Sequence, residues 1–109
     1  MRQAKIFRNG IFAGVLTEEN RNKFSFRYDD LYFNDSTKPA ISLTMPKSKQ
    51  EYSSDYLFPF FSNMIAEGEN KKVQSRMLKI DENDQFGFLT STAKADTIGN
   101  ITVQQIKEA

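Results

Sequence analysis

The sequence predicts an α+β domain: a small antiparallel sheet, built from an N-terminal meander plus a short C-terminal strand, packed against about three helices. Three observations lead there. Asn9-Gly10 sits between two apolar runs. Phe24, Phe26 and Tyr28 alternate with Ser25 and Arg27, a period of two. Leu57, Phe60, Phe61, Met64 and Ile65 recur at helical spacing. Strands first, then helices, then a last strand is the order of an α+β fold.

Residues 5–8 and 11–16 form the predicted opening hairpin. Asn-Gly suits the type I′ turn between them, because both central residues of that turn need φ > 0. Residues 17–22 are polar and read as a second turn. Residues 24–28 then form a third strand with three aromatics on one face. Residues 29–39 read as a loop rich in Asp, Asn, Ser and Thr. Ile41 and Leu43 suggest a short fourth strand, and residues 46–55 a polar approach to a helix.

Ser54 or Asp55 is the expected cap of that helix. Pro59 falls near its first turn, where no backbone N–H is needed, and Gly68 is a natural stop. A second helix is expected at about 70–79, with Val73, Met77 and Ile80 on one face. Asp84 is the expected cap of a third helix carrying Phe86 and Leu89. After Gly99, the run Ile101-Thr102-Val103 reads as the last strand.

Length and composition bound the rest. The 109 residues suit one domain, 1–109, with no internal repeat and no linker. Ten Phe and four Tyr supply the core that a modest 39% apolar content would otherwise lack. The net charge is +1, with basic residues scattered and no basic stripe, which argues against direct nucleic-acid binding. Neither a signal-peptide run nor an apolar stretch of about 18 residues is present, so a cytoplasmic protein without membrane contact is expected.

The sequence is poor in chemistry. It has no His and no Cys. That removes the commonest general base, the commonest metal ligand, the Ser-His pair and every thiolate site. It has no Gly-x-Ser-x-Gly elbow and no phosphate loop. The run Asp81-Glu82-Asn83-Asp84 lacks the Gly and terminal Glu of a calcium loop and reads as turn and cap. No catalytic residue, metal or cofactor is expected. The aromatic strand could stack bases, but a core role under the helices is the simpler reading.

Residues 57–68, Leu-Phe-Pro-Phe-Phe-Ser-Asn-Met-Ile-Ala-Glu-Gly, resemble the F-F-x-N-L-L-P-E-G segment in the N-terminal subdomain of HipA-type serine/threonine kinases. The surrounding order matches too. Asn9-Gly10 with Gly14-Val15-Leu16 looks like that family's opening hairpin, and residues 24–28 like its aromatic strand. Residues 41–46 resemble its L-S-L-S-L-P segment. Residues 84–89 and 96–103 resemble its closing segments. The likeness runs from about 4 to 103. Three positions depart from the family pattern: Ala66 stands for a proline, Asn100 for an alanine and Lys94 for a common glycine. The Ala66 change alters the loop after the first helix.

The resemblance implies a non-catalytic piece, because the family's phosphate loop and catalytic and metal-binding Asp residues lie beyond this region. It also implies a setting: tripartite toxin–antitoxin systems, where a small HipS-type protein corresponds to this subdomain. There it binds and neutralises a shortened HipA/HipT-like kinase, and a HipB-like DNA-binding protein completes the complex. The leading expectation is an antitoxin subunit. Two alternatives stand beside it: a subunit that completes an active kinase, and a small nucleic-acid-binding module. The expected partner surface is Glu67, Gly68, Glu69, Asn70, Lys71 and Lys72. Gly68 has a helix-stop role there, whereas the charged residues are free to meet a kinase.

Overall fold

Asn9 and Gly10 both adopt positive φ, 51° and 78°. This is the turn that the right-handed twist of a hairpin demands. It joins β1 (Arg2–Arg8) to β2 (Ile11–Asn20), and β2 runs on to β3 (Lys23–Tyr28). The computed structural model describes residues 1–63, 76–77, 79, 81, 84–92 and 101–106. It adds α1 (Asp30–Asn34), β4 (Glu51–Ser54), α2 (Pro59–Ser62), α3 (Gln85–Thr92) and β5 (Ile101–Ile106). The five strands form one antiparallel sheet in the order β4-β3-β2-β1-β5. With these three short helices, besides the helical pair Arg76 and Met77, the fold is α+β, as the sequence predicts.

Register turns the alternating pattern into a core. One cross-strand row joins Ala4, Leu16, Phe26 and Tyr52. The next joins Val103, Ile6, Gly14 and Tyr28. The core-facing members of these rows are buried, apart from Tyr52, which is half-buried at the sheet edge. Gly14 has a steric reason to be glycine. A Cβ there would lie 2.8 Å from Cζ of Phe26 and closer still to the Arg27 carbonyl oxygen. The bare backbone thus makes room for the Phe26 ring, which meets Tyr28 edge-on at 4.9 Å and Phe61 at 6.0 Å. Leu57 and Phe61 are buried and Phe60 packs on the core from its margin. The expected meeting of this stripe with the aromatic strand is therefore present at Phe61. Met64 and Ile65 lie outside the described residues.

Four local expectations change. β2 continues through residues 17–20 instead of turning, because Thr17 and Glu18 pair with Ser25 and Phe24. Residues 29–39 are not all loop: α1 forms where Tyr32 stacks on Tyr28 at 5.9 Å and 3°. Ile41 and Leu43 form no strand, since the free edge of β3 is taken by β4 instead. Ser54 and Asp55 do not cap the helix. Phe58 holds the cap position with extended backbone (φ −55°, ψ 136°) and Pro59 follows. A residue before proline is steered away from helical angles, so the helix cannot begin earlier.

Asp84 does cap α3: its carboxylate accepts the Gly87 N–H at 3.1 Å. Phe86 and Leu89 are buried as expected. Arg76 and Met77 are helical, and Met77 is exposed; Val73 and Ile80 lie outside the described residues.

Candidate functional site

Among the described residues, no group of three or more acidic side chains is placed to hold a metal. Among the described residues, a charge cluster joins β1, β2 and the start of α3. Arg2 donates from Nε to Glu18 at 2.7 Å, and from its two terminal nitrogens to both Asp84 oxygens at 3.0 and 2.6 Å. Its guanidinium also lies 5.0 Å from the Phe86 ring centroid. Hydrogen bonding from Arg2, helped by the Gly87 N–H, holds the Asp84 carboxyl below the usual carboxylate range. A cavity of about 130 Å³ opens beside it, lined by Glu18, Arg21, Phe24, Tyr56, Leu57, Asp84 and Gln85. Both of its carboxylates are committed to Arg2. The cluster therefore ties the sheet to α3 rather than presenting free ligands.

The aromatic strand offers no base-stacking platform. Phe24, Phe26 and Tyr28 are buried beneath the helices and the long connection after α1. The signal that suggested nucleic-acid contact is a core signal.

That connection, residues 35–50, is the most elaborately held loop among the described residues. The buried Tyr28 hydroxyl donates to the Met45 carbonyl and accepts the Ile41 N–H at 3.1 Å. Burial pushes this hydroxyl up to about 12. Tyr32 donates to the Pro39 carbonyl at 2.6 Å and Tyr52 to the Pro46 carbonyl at 2.5 Å. Lys47 donates to the carbonyls of Asp35 and Lys38 at 2.6 and 2.8 Å. Gln50 donates to the Tyr28 carbonyl at 3.0 Å. At the foot of the loop, Lys38 and Thr37 hold the Asp35 carboxyl well below its ordinary value.

Between the buried anchors Ile41 and Met45 the chain makes a tight turn. Met45 N–H donates to the Ser42 carbonyl at 3.1 Å, which puts Leu43 and Thr44 at the apex. The Ser42 hydroxyl accepts the Thr44 N–H at 3.2 Å and bonds the Thr44 hydroxyl at 2.9 Å. Leu43 is 100% exposed. Sequence reading missed this feature because an in–out–in apolar pattern matches a strand as well as a turn that buries its two flanks.

The six residues expected to meet a partner, Glu67, Gly68, Glu69, Asn70, Lys71 and Lys72, lie outside the described residues. The described chain reaches Asn63 at the end of α2, close before them.

Comparison with known proteins places this geometry. The family model for the HipA N-terminal domain matches residues 4–104. An uncharacterised protein of Haemophilus influenzae is 32% identical over 108 residues, covering 99% of this chain and 96% of that one. The putative kinase Y4mE of Sinorhizobium fredii is 21% identical over 89 residues; the match covers 82% of this chain but only 21% of that protein. A solved structure described as the N-terminal domain of HipA toxin superposes with a TM-score of 0.72 at 29% identity, covering 100% of this chain and 96% of that one. Among the described residues, no helix is long and apolar enough to cross a membrane.

Proposed function

The chain belongs to the HipA N-terminal domain family, and from that premise we propose that it is a non-catalytic binding subunit, an antitoxin that docks on a HipA-like serine/threonine kinase and neutralises it. The observation that carries this reading is the Haemophilus influenzae relative, which is matched over 96% of its own length. There the domain exists as a protein of its own size, separate from any kinase core. The chemistry agrees: with no His, no Cys and no phosphate loop, this chain has little besides surface to contribute.

Neutralisation needs no covalent step. A surface supplied in trans inactivates a kinase by binding its inactive arrangement more tightly than its active one. Glu67 and Glu69 are proposed to meet basic groups of the kinase, and Lys71 and Lys72 acidic ones, around Gly68 and Asn70. A HipB-like DNA-binding protein is the proposed third member of the complex.

A second reading has its own support. The Sinorhizobium putative kinase carries a related segment within its own chain, which favours a subunit that completes an active kinase. One experiment separates the two. Purified HipA-like kinase is assayed for autophosphorylation with and without this protein. Loss of phosphorylation on addition supports the antitoxin, gain supports completion, and no complex at all overturns both.

A further inference from the structure

We propose that the apex of the 35–50 loop, Leu43 above all, is a preformed anchor that inserts into an apolar, leucine-sized pocket with an acidic rim on the partner kinase. This rests on the reading of the protein as a kinase-binding subunit and names where the contact is made.

An exposed leucine by itself signifies little, since single apolar side chains are common on surfaces. What sets Leu43 apart is the restraint around it. It is fully exposed, yet its two neighbours at distance two, Ile41 and Met45, are buried in the core. The backbone on both sides is held by one hydroxyl, that of Tyr28. The turn itself is closed by Met45 N–H to Ser42 and stiffened by the Ser42–Thr44 hydroxyl pair. Further down, Lys47 staples the loop's foot by two carbonyls. Binding by a loop ordinarily loses affinity to the cost of ordering it; here that ordering is completed by folding. A rigid apolar side chain presented on a restrained stalk is the arrangement of an interface anchor, around which polar neighbours form a rim.

The chemistry of the pocket follows from the loop's charge. Residues 35–50 contain three lysines against one aspartate. Asp35 is already paired with Lys38 at 2.7 Å. Lys49 is exposed, with its ammonium 5.3 Å from the Tyr52 ring centroid. The loop that presents Leu43 is thus net basic, and the partner surface that receives it is proposed to be acidic.

The test measures affinity for the cognate HipA-like kinase by calorimetry, using wild type, Leu43→Met, Leu43→Ala and Leu43→Asp. Leu43 touches no core, so all four should melt alike. Expected results are affinity within about threefold for Leu43→Met, a loss of about tenfold for Leu43→Ala and of at least about a hundredfold for Leu43→Asp. Leu43→Asp binding within twofold of wild type would overturn the anchor while leaving the kinase-binding reading intact. A wild-type protein that binds no such kinase would overturn that reading, and the anchor with it.

Discussion

Replacing Tyr28 by Phe tests how the long loop is held. The ring stays, so its packing on Phe26 and its stack on Tyr32 are kept. Only the hydroxyl goes, and it serves two backbone groups at once: it donates to the Met45 carbonyl and accepts the Ile41 N–H. Ile41 and Met45 are themselves buried, so neither orphaned group gains water in return. A buried polar group left without a partner costs about 1–3 kcal/mol. Relaxation shares part of that between the two, so the expected loss is about 2–4 kcal/mol. Urea denaturation should show a lower midpoint with an unchanged slope, and amide exchange at Ile41 should speed up. The hydroxyl also adds a pH signature. Its pKa, pushed up by burial to about 12, lies above the ordinary 10. The folded state therefore holds this proton more tightly, and the stabilisation is complete below about pH 10 and lost as pH rises toward 12. Stability should fall less steeply over that window in Tyr28→Phe. A variant within about 0.5 kcal/mol of wild type, with the same alkaline slope, would refute this account of the loop.

Other perturbations probe the remaining supports. Phe61→Ala empties a fully buried site against Phe26, Phe58 and Phe60, and should cost about 3–5 kcal/mol in denaturant melts. Asp84→Asn removes the charge that Arg2 grips and should destabilise the protein by about 1–3 kcal/mol at neutral pH. Because the Asp84 pKa is depressed, its contribution is present above the ordinary carboxylate range and lost as pH falls through the folded value, so the variant should unfold with a weaker dependence on acid. Gly14→Ala forces a Cβ against the Arg27 carbonyl and the Phe26 ring; thermal melts should show a loss of about 1–3 kcal/mol.

Much of this protein was determined locally, and those parts were legible in its sequence. The Asn9-Gly10 turn was readable because few residues accept positive φ, and two in succession leave almost one choice. The inward face of Phe24, Phe26 and Tyr28 follows from the two-residue period of a strand. The cap at Asp84 follows from a short acceptor side chain placed before an apolar run. The family itself was readable from several short motifs in the right order. What only the tertiary structure decided depends on residues far apart in the chain. Whether the edge of β3 is completed by residues 41–43 or by β4 turns on where the loop's polar groups find partners, and the Tyr28 hydroxyl supplies them from 13 and 17 residues away. Arg2 meets Asp84 across 82 positions, a pairing that no local pattern encodes. Leu43 alternates with Ile41 and Met45 as a strand residue would. Its exposure was settled only when the core took both flanks and left the apex of the turn outside.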